Sequence, residues 1–242
     1  MGIKKFRDTF EYHTVLNEDD FKGQTIAIDV SYEIHRAIKS TLKLTTMTDK
    51  DGNPTNYIKI ILGVIRMFYL AGANQIWVFD NPKGNPFKLA NDQRRAQRDA
   101  VVQKIEELKT KMTPLQYEDD QIFNKYKDDP MFAVPENSSH EISKLEKQTF
   151  RITQLIIDRI KKILDAFEIP YVEAPYGFEA EGLCAHLTRI GVADAVFTND
   201  ADALMFGATK LIMRDSKNKG SYLQYNLSLL LDEYDWELID FI

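Results

Sequence analysis

Four short runs of apolar and β-branched residues alternate with longer stretches of helical periodicity, and this alternation constrains the fold more than any other feature. The runs are Thr25–Val30 (TIAIDV), Gln75–Asp80 (QIWVFD), Pro170–Glu173 (PYVE) and Asp194–Thr198 (DAVFT). Strands that are apolar throughout, rather than at every second position, belong to a parallel sheet covered on both faces. Between them, Arg151–Phe167 carries Ile152, Leu155, Ile156, Ile160, Ile163, Leu164 and Phe167 at three- and four-residue spacings, an amphipathic helix. Tyr57–Leu70 is apolar on most of its circumference and reads as a helix buried against the sheet. Lys210–Tyr225 reads as two strands about the Ser216–Ser221 turn (SKNKGS). The expected fold is α/β, a three-layer arrangement with a mostly parallel central sheet flanked by helices.

One stretch interrupts the rhythm. From Pro82 to about Gln148 there is no strand pattern, many charges, and acidic patches at Glu118–Asp120 and Asp128–Asp129, while Pro130 to Ser139 reads as loop. It reads as a helical insertion or a mobile excursion between the second and third strands, so the expected organisation is one domain over residues 1–242 with an arch-like insertion at about 82–148. A chain of 242 residues can bury a core without disulfides, and the single cysteine, Cys184, excludes an intrachain one. Cys184 reads as a small buried hydrophobe, and His186, two residues away, is badly placed to share a metal with it. The opening residues lack the apolar core of a secretory signal, and Tyr57–Ala73 is too short and too charged to span a bilayer. These readings lead to the expectation of a soluble intracellular protein, in nucleus or cytoplasm, with no membrane partner. The net charge of −6 excludes a uniformly basic coat but not a local basic patch.

Where the acids fall matters more than their number. Ligands of an open parallel sheet bind beyond the carboxyl ends of its strands. Asp29 ends the first run and Asp80 the second; Glu179 and Glu181 (FEAE) follow the third, and Asp200 and Asp202 (TNDAD) the fourth. A parallel sheet brings all six to one edge. Carboxylates that close repel one another unless cations intervene. Mg²⁺, with its preference for a few carboxylates and retained water, suits such a set, and two ions roughly 4 Å apart form a clamp for in-line phosphoryl displacement. Taken singly, each acid can also be a solvated strand end or a cap. Glu179 and Glu181 share a site only if a helix begins there, and Asp202 also fits as a cap before Leu204–Phe206. Trp77, Phe79, Phe197 and Phe206 read as core rather than as a base-stacking platform.

The segments MGIKKF, AIDVSYEIHR, WVFDNPKGNPFK, RITQLIIDRIKKILDAFEIPYVEAP, FEAEGLCAHL and FTNDADALMFG, in that order, resemble the flap endonuclease/XPG-type 5′ nucleases. The likeness covers most of the chain and is weakest over residues 103–148. YGFEAE also resembles the GFEADD element of bacterial polymerase-associated and phage 5′ nucleases, with Gly182 in place of the second Asp. The resemblance implies a PIN-like fold with a helical arch made by the insertion. It implies a two-metal site, with Asp29, Asp80, Glu179 and Glu181 serving mainly the first ion and Asp200 and Asp202 the second. Mg²⁺ is the expected ion and Mn²⁺ a substitute. Lys88 and Arg95 match the family's basic pair at the scissile phosphate; seven residues is two helical turns, which sets them on one face, where cations stabilise growing negative charge. Gly2 matches the family's glycine near the site, and Arg94 and Arg98 join the set of nucleic-acid contacts; without the family context these arginines equally fit a solvated helix face.

Two departures stand out. His35 occupies the place of an aromatic residue that stacks on a base, and a histidine offers less area for stacking. The family also continues past a stretch like DEYDWELIDFI into a Gly-Ser-Asp element and a helix–turn–helix unit for downstream duplex; the sequence in hand ends at Ile242. The leading expectation is a divalent-metal-dependent structure-specific 5′ nuclease, endo- or exonucleolytic, acting in replication or repair. Its substrate is DNA with a 5′ single-stranded end or flap, RNA-containing strands included; it works as a monomer, with sliding-clamp binding left open. A PIN-like single-strand ribonuclease and a nucleic-acid-binding relative impaired in catalysis stand as alternatives.

Overall fold

A computed structural model describes residues 13–41, 47–51, 53, 55–83, 90–112, 142, 145 and 152–237. The chain divides into two compact units, one formed by residues 1–41, 45–86 and 152–242, the other by residues 42–44 and 87–151.

The first unit is built on a seven-stranded sheet, ordered β1-β7-β6-β5-β2-β3-β4. Its strands are β1 (Thr14–Leu16), β2 (Thr25–Asp29), β3 (Asn74–Phe79), β4 (Tyr171–Glu173), β5 (Ala195–Phe197), β6 (Lys210–Arg214) and β7 (Tyr222–Asn226). The five strands β6-β5-β2-β3-β4 pair in parallel, and β7 and β1 close one side antiparallel. The helices of this unit are α1 (Val30–Thr41), α2 (Asn56–Leu70), α4 (Gln154–Ala166), α5 (Ala180–Arg189), α6 (Asp202–Met205) and α7 (Leu227–Tyr234). The mostly parallel sheet expected from the four apolar runs is present, and β1 is an addition that the apolar pattern did not reveal.

Side-chain alternation explains why the central strands show no period-two polar pattern. On one face Ala27, Val78, Val196, Leu211 and Met213 pack with Ala180, Cys184 and Ala185 of α5, with Ala203 and Leu204 of α6, and with Leu227 and Leu230 of α7. On the other face Phe197 meets Phe68 of α2 edge-on at 5.0 Å, and Phe21, from a short 3-10 turn at Glu18–Phe21, meets both Phe68 and Tyr222. Both faces are therefore covered, and the period-two signal disappears. Cys184 is fully buried in the first of these layers, which agrees with its reading as a small hydrophobe.

Helix α2 packs against the sheet as expected, through Tyr57, Ile61, Val64, Ile65 and Phe68, while Tyr69 and Leu70 are exposed. One expectation needs correction. Phe206, read as core, is exposed because it caps the short helix α6 at its C-terminal end. Trp77, Phe79 and Phe197 are buried as expected.

The second unit contains α3 (Ala90–Met112), whose Ile105 packs with Ile142 and Leu145, flanked by Val101 and Leu108. Helix α3 falls within the stretch for which a helical insertion was expected. The acidic patches at 118–120 and 128–129 and the loop at 130–139 lie outside the described residues.

The aromatic layer holds the sheet to α2, so its truncation should be felt globally. Phe68→Ala is expected to destabilise the protein by about 3–5 kcal/mol, the usual penalty for deleting a buried aromatic ring. Urea unfolding with an unchanged slope would register it as a fall in midpoint.

Candidate metal centre

The carboxyl ends of β2, β3 and β5 open on the same edge of the sheet, and the chain turns there into α1, a loop, and the segment leading to α6. Asp29 is the last residue of β2 and caps α1, its Oδ1 accepting the Tyr32 N–H at 3.1 Å. Its Oδ2 accepts the Thr198 hydroxyl at 3.4 Å, and Thr198 Oγ1 in turn accepts the Asp200 N–H at 3.2 Å. Asp200 Oδ1 then accepts the Asp202 N–H at 3.2 Å. One hydrogen-bonded chain thus runs from α1 through Asp29 and Thr198 to both aspartates after β5.

Asp80 follows β3 and is fixed from two sides. Its Oδ1 accepts the Ala180 N–H at 2.8 Å, at the first turn of α5, and its Oδ2 accepts the Ser31 hydroxyl. Glu179 is the N-cap residue of α5 and Glu181 lies in its first turn. The helix does begin at the position needed for both glutamates to reach one site. Carboxylates are favoured there, because the N-terminus of a helix carries partial positive charge.

Ligand oxygens of Glu181, Asp200 and Asp202 all lie within 4.8 Å of one another. Burial, above all, pushes the Asp29 carboxyl up to about 7; the Tyr32 N–H opposes this, while Asp80, Glu33 and Asp200 add repulsion. Burial likewise leads in pushing Glu181 up to about 8, followed by repulsion from Asp29, Asp200, Glu179 and Asp202. The other four expected acids thus each act on Asp29 or Glu181. Crowded hard oxygen donors are the donor set that a divalent cation satisfies, so the residues fit such an ion.

The other expected residues belong to other parts of the sequence. His35 is exposed on α1 and Arg98 is half-buried on α3. Arg94 and Arg95 belong to α3, but their side chains, like Gly2 and Lys88 as a whole, lie outside the described residues. Ser31, Thr198, Glu33, Arg36, Asn199 and Arg214 surround the acids and were not singled out from sequence. Glu33 had a readable signal: it occupies the stripe Val30–Glu33–Ile34–Ala37–Ile38 at three- and four-residue spacing, and all five are buried. A charge in an apolar stripe announces a buried partner.

The chain matches the XPG N-terminal domain over residues 1–101 and the XPG I-region over residues 168–242. Flap endonuclease 1 of Entamoeba histolytica is 30% identical over 235 residues, 93% of this chain and 54% of the relative. Flap endonuclease-1 from Methanococcus jannaschii superimposes with a TM-score of 0.63 at 21% identity, over 98% of this chain and 67% of that one. The catalytic core of Rad2 in complex with DNA substrate does so with a TM-score of 0.61 at 19% identity, over 98% and 59% of the two chains. The architecture is that of the PIN-like nuclease folds. The chain belongs to the XPG-type flap endonuclease family. It spans about half the length of the Entamoeba relative.

Raised carboxyl pKa values have a stability consequence with a definite sign. Asp29 and Glu181 bind their protons more tightly folded than unfolded, from ordinary values of 3.8 and 4.5. Their contribution is complete below the unfolded values and is lost as pH rises through about 7 to 8. The metal-free protein should therefore melt at progressively lower temperature between about pH 5 and about pH 8.5, and saturating Mg²⁺ should remove most of that decline. Thermal melts in EDTA and in Mg²⁺ across this range check it.

Proposed function

We propose that this chain carries the catalytic centre of a divalent-metal-dependent, structure-specific 5′ nuclease that hydrolyses DNA phosphodiesters near single-strand/duplex junctions. The observation that carries the reading is the convergence of Asp29, Asp80, Glu179, Glu181, Asp200 and Asp202 on one sheet edge, with three of them inside 4.8 Å. Membership of the flap endonuclease family supports the same reaction and a DNA substrate with a 5′ end or flap. Two Mg²⁺ ions fill the centre, with Mn²⁺ as an alternative, and the protein acts inside the cell as a monomer. Among the described residues no helix is long and apolar enough to cross a membrane.

A divalent ion in this centre supplies Lewis-acid polarisation of a phosphoryl oxygen and eases deprotonation of water. The protein's part is placement. Ser31 and the α5 backbone hold Asp80 facing the centre, Tyr32 and Thr198 hold Asp29, and Thr198 carries that order on to Asp200. Asp29 sits deepest, at 1% exposure, which strengthens its attraction for a cation once both are shielded from water. Lys88 and Arg95 stabilise the phosphate as it gains negative charge, and Gly2, His35, Arg94 and Arg98 contact the nucleic acid. The segment of residues 82–148 serves as the arch for the single-stranded 5′ end.

Incubation with a 5′-flap duplex, a nicked duplex and a single strand, with and without Mg²⁺, tests the reading. Incision near the junction only in Mg²⁺ is expected; equal cutting in EDTA would overturn it. Asp200→Asn and Asp202→Asn should abolish incision while the circular dichroism spectrum holds, and the metal-free variants should melt no lower than wild type, since a repulsive charge is deleted. Lys88→Ala and Arg95→Ala should each lower the single-turnover rate by roughly 10²–10³, as loss of one transition-state donor does elsewhere. A loss accounted for by substrate affinity alone would reassign those two to positioning.

A further inference from the structure

Outside the acid cluster, one arginine joins the two segments that carry it. Arg214, at the end of β6, grips Glu33 of α1 with both arms, Nη1 to Oε1 at 2.6 Å and Nη2 to Oε2 at 3.0 Å. Glu33 has no solvent exposure, and Arg36 donates to its Oε2 from Nε at 3.0 Å and Nη2 at 2.8 Å. The Arg214 guanidinium also lies 4.3 Å from the centre of the Phe197 ring. Its backbone is paired with the Asn199 side chain: the Arg214 N–H donates to Oδ1 and Asn199 Nδ2 donates to the Arg214 carbonyl, each at 3.0 Å. Asn199 directly precedes Asp200, and Glu33 lies four residues after Asp29.

The connection is rigid at each step. A bidentate guanidinium–carboxylate pair fixes orientation as well as distance, and the amide pair with a backbone does the same for the loop. Without restraint, like-charge repulsion would drive the Asp200–Asp202 segment away from its acidic neighbours, since oxygens of Glu181, Asp200 and Asp202 lie within 4.8 Å of one another. We propose that Glu33, Arg214 and Asn199 are positioning residues that set the spacing between Asp29 and the Asp200–Asp202 pair, and so set the divalent-ion affinity of the centre. The inference rests on the metal-dependent reading above and adds which residues outside the ligand set tune it.

Charge arithmetic separates positioning from a simple field effect. Glu33→Gln removes a negative charge and Arg214→Gln a positive one, so a field alone would weaken cation binding in the first and tighten it in the second. Asn199→Ala changes no charge, so a field alone predicts no effect. Positioning predicts weaker binding in all three. Mn²⁺ binding to the metal-free protein, read by electron paramagnetic resonance of the free ion, is the measurement, with unfolding midpoints alongside. The dissociation constant should rise about 10–100-fold in each variant, the usual range for residues that orient metal ligands. Asp49→Asn, which breaks the Asp49–Arg159 pair between the 47–51 loop and α4, should leave it unchanged. Tighter binding in Arg214→Gln, or unaltered binding in Asn199→Ala, overturns the proposal. Should Arg214→Gln fail to fold, Asn199→Ala decides alone. A wild-type protein that binds no Mn²⁺ overturns the metal reading itself, and this inference with it.

Discussion

Mutual repulsion among carboxylates is the constraint around which this protein is arranged. Three acids with oxygens inside 4.8 Å carry three repulsive pairs. Each pair of full charges at that distance costs on the order of 3 kcal/mol at an effective dielectric near 20. The helix N-terminus beside Glu179 and Glu181 returns only about 0.3–1 kcal/mol per charge. Repulsion wins, so a proton or a cation must be present. The raised values of Asp29 and Glu181 are the proton solution, and a divalent ion is the other.

The fold makes that conflict sustainable. Parallel strands buried on both faces end at a common edge, and their apolar packing supplies the stability that the edge subtracts. Asp29 is the clearest case: it shares the face of Ala27 and the α5 layer, in a strand otherwise without a charge. The side chains around the acids then convert a repulsive set into a fixed one. Ser31 and Thr198 give hydrogen bonds to Asp80 and Asp29, and Arg214 links α1 to the loop after β5.

Much of this was legible in sequence because it depends on local pattern. The runs IAI, IWVF and AVF are apolar without a break, and acids follow each of them at Asp29, Asp80 and Asp200, which gives both the strand and the direction of its end. The glutamates were ambiguous until the start of α5 at Ala180 was known, since two residues apart they share a site only across a helix start. What could not be read is non-local. The three-residue strand β1 exists because β7 is there to pair with it. The Glu33–Arg214 pair joins residues 181 positions apart, and no spacing rule reaches that far. Phe206 was misread because an aromatic at the end of a short helix has the same local context whether it turns in or out.

Protons and divalent ions compete for the same carboxylates in this centre. If the acids hold protons because they lack cations, Mg²⁺ must displace those protons on binding. Calorimetric titration of Mg²⁺ into the metal-free protein near pH 7, in two buffers of different ionisation enthalpy, measures that exchange. Release of about one proton as the centre fills is the predicted result, and it should diminish in Glu181→Gln. Mg²⁺ binding with no proton release, or with unchanged release in that variant, would contradict the claim that these carboxylates form the metal centre.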